Sequence, residues 1–132
     1  MCMMEIAKDT AKHADNIAKG LVFYCPTCGE EFTTAVENPT CEECGCELEQ
    51  LTMSDWLEST WYNDRVTTSI SEPDTVLAGA VMVAFGGPNV WISTEGYVEA
   101  ISWGDYERAP IDGDTCDELL NVLQDAWDAR RA

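Results

Sequence analysis

Four cysteines in the first half of the chain have the spacing of a metal site. Cys25-Pro-Thr-Cys28 and Cys41-Glu-Glu-Cys44 are separated by twelve residues, and a glycine follows each pair. A Cys-x-x-Cys turn lets two thiolates from one tight loop reach the same ion, and four thiolates complete a tetrahedral set. We therefore predict that Cys25, Cys28, Cys41 and Cys44 bind one structural Zn²⁺, with iron as the alternative metal.

The segment 21–50, which contains these cysteines, resembles the zinc-ribbon, or rubredoxin-knuckle, family. The resemblance covers 30 residues and rests on the two Cys-x-x-Cys-Gly motifs. It implies a closed structural site, which leaves no open coordination position for a substrate. Because so short a segment buries little apolar surface, we expect the metal to supply its folding free energy.

Three further cysteines lie outside these pairs. Cys46 is expected to point away from the metal or to shield it, with an exchange of ligand role with Cys44 as the alternative. Cys116 falls on the apolar face of a predicted helix, where it is expected to be a small buried residue. Cys2 is expected to be a free thiol. Cysteines arranged as Cys-x-x-Cys, in a chain without signs of secretion, favour metal binding over disulfides.

The chain is strongly acidic. It has 25 Asp and Glu against 7 Lys and Arg, which gives a formal net charge of −18. The segment 21–63 contains nine acidic residues and no Lys or Arg. Proteins bind DNA largely by neutralising phosphates with Lys and Arg, so direct nucleic-acid binding is disfavoured. The charge then serves either solubility or the binding of a basic partner.

Apolar spacing predicts three helices, at 4–19, 52–63 and 113–132. Thr52 is a candidate N-cap of the second helix. Thr115 and Glu118 fit a capping box at the start of the third helix.

Strand patterns fill the region between the second and third helices. They predict strands at 65–71, 75–85, 90–94 and 97–111, the last with a bulge or break at Gly104, and a hairpin turn at 95–96. The predicted fold is therefore α+β. It consists of an N-terminal helix (1–20), a small zinc ribbon (21–50) and a domain (51–132) in which an antiparallel sheet of three to four strands packs with helices.

The segment 91–118 combines aromatic and acidic side chains. Alternation along the last strand places Val98 and Ala100 on one face, and Glu99 and Trp103 on the other. Trp and Tyr are favoured anchors at interfaces, and carboxylates around them can pair with cations of a partner. The alternative is an aromatic core beside a solvated acidic face. The candidate partner-binding residues are Glu95, Glu99, Trp103, Asp105, Tyr106, Glu107, Asp112, Asp114, Asp117 and Glu118.

The sequence offers little for catalysis. His13 is the only histidine and is expected to be solvated, and no P-loop, G-x-G-x-x-G or G-x-S-x-G motif is present. We therefore expect a protein that is not an enzyme. The longest apolar run, 76–85, is too short to span a bilayer, and charged residues interrupt 1–20, so a cytoplasmic location is expected.

In size, acidity and lack of a catalytic set, the chain is similar in general character to the small acidic anti-CRISPR and anti-restriction proteins of phages and mobile elements. This resemblance implies an inhibitor that blocks the basic DNA-binding groove of its target by charge mimicry, for example the PAM-reading groove of a CRISPR effector nuclease. The alternative is a zinc-ribbon adaptor that mediates protein–protein contacts in a host complex. The inhibitor hypothesis predicts a protein partner with a basic surface, such as a CRISPR effector nuclease or a restriction enzyme. Under both hypotheses we expect no direct nucleic-acid binding and no membrane association.

Overall fold

The computed structural model describes residues 3–85 and 88–131, with Arg131 described by its backbone alone. The free thiol predicted at Cys2 lies outside the described residues. The described part contains three helices and eight strands. In chain order these are α1 (Met3–Ala18), β1 (Val22–Tyr24), β2 (Glu31–Thr33), β3 (Glu49–Gln50), α2 (Met53–Thr60), β4 (Asn63–Thr68), β5 (Val76–Ala84), β6 (Asn89–Ser93), β7 (Tyr97–Ser102), β8 (Asp105–Pro110) and α3 (Gly113–Arg131).

The predicted α+β fold with an antiparallel sheet is confirmed. Strands β1 to β3 form a small sheet in the order β2-β1-β3, and β4 to β8 form a second sheet in which every strand pairs with its neighbour in sequence. The second sheet has five strands, so the prediction of three to four was too low. The predicted strand 97–111 is the hairpin β7–β8: a break does occur at Gly104, but it is a full hairpin turn, so the segment forms two strands and not one.

The β7–β8 turn explains this error. Ser102 pairs with Asp105, and the two residues between them, Trp103 and Gly104, have φ of 53° and 86°. Two positive φ values define the tight hairpin turn that matches the twist of its strands, and Asn-Gly is the usual sequence there. The alternation rule had placed Trp103 on a strand face, whereas it lies in the turn.

The helices cover one face of the five-stranded sheet. Helix α1 packs on β7 and β8, while α2 and α3 pack on β5. The core between these layers includes Val81, Ile92, Val98, Leu119 and Leu123, each at most 1% exposed. Burying a side chain of this size stabilises the fold by roughly 1.5–3 kcal/mol.

The opposite face of the sheet carries stacked Arg and aromatic side chains. The Arg65 guanidinium lies 4.3 Å from the centre of the Trp91 ring, and that of Arg108 lies 4.3 Å from the Tyr97 ring. Arg108 also donates from Nε to Glu99 at 2.5 Å. These contacts order the open face without a covering helix.

The two predicted helix caps have different outcomes. Thr52 caps α2 as predicted, because its hydroxyl accepts a hydrogen bond from the Asp55 N–H at 3.1 Å. The capping box at Thr115 is wrong, since α3 already begins at Gly113. The buried Thr115 hydroxyl instead donates to Asp15 of α1 at 2.5 Å.

The small sheet contributes to the main hydrophobic core through β1. Val22 is 1% exposed and belongs to the same hydrophobic cluster as Ile17 of α1 and Leu57 of α2. The Leu51 N–H donates to the Val22 carbonyl at 2.8 Å, which ties the end of the ribbon to its start. Within the described residues, no helix combines the length and the apolar character that crossing a bilayer requires.

Candidate metal centre and acidic surface

Two similar loops present the four cysteines of the Cys-x-x-Cys pairs. In the first loop, directly after β1, the Cys25 N–H donates to the Glu30 carbonyl at 2.9 Å and the Gly29 N–H donates to the Cys25 carbonyl at 2.7 Å. In the second loop, the Cys41 N–H donates to the Cys46 carbonyl, and the Gly45 N–H to the Cys41 carbonyl, both at 2.8 Å. The shared hydrogen-bond pattern shows that both loops are knuckles of one kind.

The glycine after each pair meets a backbone requirement of the knuckle. Gly29 has a φ of 76° and Gly45 a φ of 72°, in the left-handed region where side chains cause strain. The left-handed turn carries the chain back on itself directly after the second cysteine. Each Cys-x-x-Cys-Gly motif therefore provides two of the four thiols together with the glycine that its turn requires.

The two knuckles bring the four thiols together. The sulfur atoms of Cys25, Cys28, Cys41 and Cys44 all lie within 4.8 Å of one another. Cys25 Sγ and Cys44 Sγ are 3.4 Å apart, and Cys28 Sγ and Cys41 Sγ are 4.0 Å apart. A tetrahedral ion with bonds of about 2.3 Å to each sulfur requires sulfur separations of about 3.8 Å. The observed cluster fits such an ion, so these four cysteines can bind a metal.

In each knuckle the first cysteine is buried and the second is exposed. Cys25 and Cys41 are 0% and 2% exposed, whereas Cys28 and Cys44 are exposed. The Cys28 N–H donates to Cys25 Sγ at 3.3 Å. This hydrogen bond lowers the pKa of the Cys25 thiol to about 7, which favours the thiolate, the form that binds metals.

Cys46 lies beside the four-thiol cluster. Its side chain is half-buried, and its sulfur is 3.5 Å from the Thr27 hydroxyl oxygen. Thr27 lies in the first knuckle, between Cys25 and Cys28, so the Cys46 thiol faces the opposite knuckle. Cys46 therefore lies beside the four thiols without being part of their cluster.

The ribbon surface is uniformly acidic. Its seven carboxylates between residues 30 and 49 are all exposed, and no Lys or Arg lies in that segment. Two of them have partners of their own. Glu49 accepts a hydrogen bond from the Tyr24 hydroxyl at 2.5 Å, and Glu31 lies 3.9 Å from His13 Nε2. His13 is half-buried with its ring against the edge of Trp56, so it is less solvated than predicted.

Most of the candidate partner-binding residues lie at two ends of the large sheet, whereas Glu99 and Glu107 lie within strands β7 and β8. Trp103, Asp105 and Tyr106 lie at or next to the β7–β8 turn, and all three are exposed. Glu95 lies in the β6–β7 turn at the opposite end of β7, about 20 Å away along a six-residue strand. The start of α3 lies near Glu95, because the Ile111 N–H donates to the Gly96 carbonyl at 3.0 Å. The residues at this second end are Glu95, Asp112, Asp114, Asp117 and Glu118.

The candidate residues also differ in how much of their charge is available. Glu99 is 8% exposed and pairs with Arg108, and Asp112 pairs with Lys19 at 3.2 Å. The hydrogen bond from Arg108 to Glu99 raises the pKa of the Arg108 guanidinium. Burial raises the pKa of the Glu118 carboxyl, with Asp114 adding to the effect. Asp105 and Asp114 are both exposed and hence better placed to meet a partner.

Sequence reasoning missed two features. The first is the set of Arg65, Trp91 and Arg108 on the open sheet face, whose contacts join different strands. The second is Asp15, which connects α1 to the start of α3. Alternation of the strands could have placed Trp91 and Glu99 on one face, but the strand order that makes them neighbours carries no local signal.

Comparisons of the chain with protein-family models, with curated proteins and with solved structures each give no match.

Proposed function

We propose that this protein is a non-enzymatic, zinc-stapled acidic module that binds a basic surface of another protein. The single observation that carries the proposal is the ribbon surface, where seven exposed carboxylates occur without one Lys or Arg. Such a surface attracts cations and raises the rate at which a basic partner associates. The same surface repels nucleic acid, because no cation is present in this segment to neutralise a phosphate.

Zinc is the metal that we assign to the four thiolates. A closed set of four cysteines is the usual ligand set of a structural zinc site, and zinc prefers the tetrahedral arrangement into which these sulfurs fall. Cys25, Cys28, Cys41 and Cys44 would hold the ion, which would link the two knuckles. Bound zinc and four thiolates together add about −2 to the formal charge, so metal loading leaves the ribbon acidic.

The finer proposal concerns the kind of partner. We propose an enzyme that handles nucleic acid, with an Arg- and Lys-lined groove that normally holds phosphates. A phage or mobile-element protein that blocks the PAM-reading groove of a CRISPR effector nuclease, or the DNA groove of a restriction enzyme, is the specific form of this proposal. It is supported by the net charge of −18 and by the exposed Trp103 and Asp105, which offer an apolar anchor beside a carboxylate.

The test is a competition assay with purified enzymes. Zinc-loaded protein is added to a panel of CRISPR effector nucleases with their guides, and to restriction enzymes, each bound to a fluorescent DNA duplex. We expect the protein to displace DNA from at least one enzyme, and displacement to weaken as salt increases. A mobility shift of bare DNA by this protein at physiological salt, or inhibition of no enzyme in the panel, would contradict the proposal.

The two ends of the sheet provide matched variants for this assay. Asp105→Lys with Glu107→Lys changes one end, and Asp114→Lys with Asp117→Lys changes the other, so each variant replaces two negative charges with two positive ones. Charge mimicry through a sheet end predicts that the variant at that end abolishes inhibition while the other preserves it, and that both variants melt cooperatively. Inhibition that survives in both variants would exclude the sheet ends as the binding surface.

An adaptor of a host complex is the second candidate, and the second knuckle favours it. Glu42 and Glu43 lie between Cys41 and Cys44 and are exposed, so the metal site itself presents carboxylates outward. If the ribbon is the docking module, Glu42→Lys with Glu43→Lys abolishes partner binding while metal content remains one ion per chain. Unchanged partner binding in this variant would exclude the adaptor form.

A further inference from the structure

The second knuckle differs from the first in having an additional thiol. Cys28 and Cys44 occupy equivalent positions, each being the exposed second cysteine of its pair. Only Cys44 is followed two residues later by another cysteine, Cys46. The chain therefore has five cysteines in a ribbon that needs four ligands.

Cys46 is held at the junction of the two knuckles. Its carbonyl accepts the hydrogen bond of the Cys41 N–H at 2.8 Å, which fixes its backbone beside a buried ligand. Its sulfur contacts the Thr27 hydroxyl of the opposite knuckle at 3.5 Å. A residue anchored to one knuckle and in contact with the other lies beside the cluster of four sulfur atoms, although its own sulfur is not one of the four that lie within 4.8 Å of one another.

The space beside Gly45, between Cys44 and Cys46, is open. Gly45 has a φ of 72°, and no other atom lies within 4 Å of the position that a Cβ would occupy there. Cys28 and Cys44 are exposed, whereas Cys25 and Cys41 are buried, so the two exposed thiols are the ligands that can leave the cluster without displacing packed atoms. Of these two, only Cys44 has a second thiol in its own knuckle.

We propose that Cys46 is an alternative metal ligand, which replaces Cys44 and gives the ribbon two four-thiolate sets that differ in one residue. The inference rests on the proposed zinc site. In the exchange, a Cys46–zinc bond forms and the Cys44–zinc bond breaks. The Cys46 thiol loses its proton and the departing Cys44 thiolate gains one, so the charge of the site stays the same. A site in which Cys44 has been oxidised or alkylated would then still have four thiolate ligands.

The test compares Cys44→Ser with its matched control Cys28→Ser. Each variant removes the exposed cysteine of one knuckle, but only Cys44→Ser leaves a neighbouring thiol. Co²⁺ reports the number of thiolate ligands through its sulfur-to-metal charge-transfer band, and a competition titration gives the Zn²⁺ affinity. Far-ultraviolet circular dichroism and Trp fluorescence verify that the α+β core of each variant is folded.

We expect Cys44→Ser to keep the four-thiolate spectrum and a Zn²⁺ affinity within about tenfold of the wild-type chain. Cys28→Ser and the double variant Cys44→Ser with Cys46→Ser should show three-thiolate spectra and affinities lower by about a hundredfold or more. A three-thiolate spectrum for Cys44→Ser, like that of Cys28→Ser, would overturn the inference and leave the zinc site intact. If the wild-type chain itself binds neither ion, the zinc site fails and the inference fails with it.

Discussion

Trp103 occupies a position in which its backbone conformation is unfavourable. Its φ of 53° lies in the left-handed region, which costs an L-residue other than Gly or Asn about 1–2 kcal/mol. The side chain is 101% exposed, so replacing it removes no buried apolar surface. Trp103→Asn should therefore increase the free energy of unfolding by about 1 kcal/mol, since Asn is a favoured residue at this turn position.

For a chain of this length, such a gain raises the melting temperature by roughly 3–5 °C. The measurement is differential scanning calorimetry of the zinc-loaded protein in excess Zn²⁺, so that metal loss does not limit the transition. Gly104→Ala is the matched control in the same turn. Gly104 has a φ of 86°, and no other atom lies within 4 Å of an added Cβ, so the variant reports backbone strain alone and should lower the melting temperature.

One result would refute this reasoning. If Trp103→Asn melts at or below the wild-type temperature while Gly104→Ala is destabilised as expected, then the indole makes a stabilising contact that outweighs its backbone strain. If the expected gain is observed, the chain carries an exposed aromatic residue at the expense of stability. A residue of that kind is a reasonable place to look for function, because stability and activity often trade against each other.

Three further results are expected. Chelation of the metal should accelerate amide hydrogen exchange of the knuckles, for example at Gly29 and Gly45, while β5 to β7 stay protected, because the ribbon tip depends on the metal and the sheet has its own core. Gly79→Ala should lower the free energy of unfolding by about 1–3 kcal/mol in urea, since the added Cβ would lie 2.6 Å from the Arg65 carbonyl oxygen and 2.9 Å from Leu123 Cδ1. Arg130→Gln should lower the free energy of unfolding by about 1 kcal/mol at pH 7, after allowing for the exposure of Arg130, and this cost should begin to decline only below about pH 4, as the pH falls toward the lowered pKa of Asp64.

The sign of the pH effect follows from Asp64. The hydrogen bond from Arg130 lowers the pKa of the Asp64 carboxyl below its value in the unfolded chain, with the Trp61 N–H acting in the same direction. The stability that this pair contributes is present above the unfolded pKa and is lost as the pH falls through the folded pKa. Acid also releases metal, but it does so equally in both proteins, so the difference between them isolates Asp64. A difference that stays constant down to pH 3 would contradict this account.

The other two predictions have their own controls. Gly113→Ala adds a methyl group where no other atom lies within 4 Å, so it should not reproduce the cost of Gly79→Ala. For chelation, all five Trp residues lie outside the ribbon, and their fluorescence should change little when the metal is removed. Cooperative loss of the whole fold on chelation would show that the sheet, too, depends on the metal.

The four-thiol cluster could be predicted from the sequence because the contacts that shape each knuckle join residues close together in the chain. Each Cys-x-x-Cys-Gly motif fixes one knuckle through hydrogen bonds that span only a few residues, and the left-handed Gly29 and Gly45 are visible as glycines. The same holds for the Thr52 cap, whose partner Asp55 is three residues away. Where the determining contacts are short in sequence, residue types and spacing were sufficient.

Most features that could not be predicted depend on contacts between distant residues. The β7–β8 turn is a local exception: the predicted bulge or break at Gly104 falls within it, but Trp103 was placed on a strand face because Trp is typical of strands and not of tight turns. The Thr115 capping box failed because a carboxylate from another helix took over the interaction. The separation of the candidate surface into two ends follows from the strand order, which no local pattern encodes.

The link between Asp15 and the start of α3 has a consequence for how the chain folds. The Asp15 carboxylate accepts from the Asp112 N–H and the Thr115 hydroxyl, which are 97 and 100 residues further along the chain. Translation adds about 5–20 residues per second, so Asp15 is synthesised well before either of its partners. The start of the last helix can therefore be completed only after translation has passed it and the first helix has docked. We infer that the contact between the first and last helices forms late in folding, and that a fragment lacking the first helix would begin α3 without its carboxylate partner.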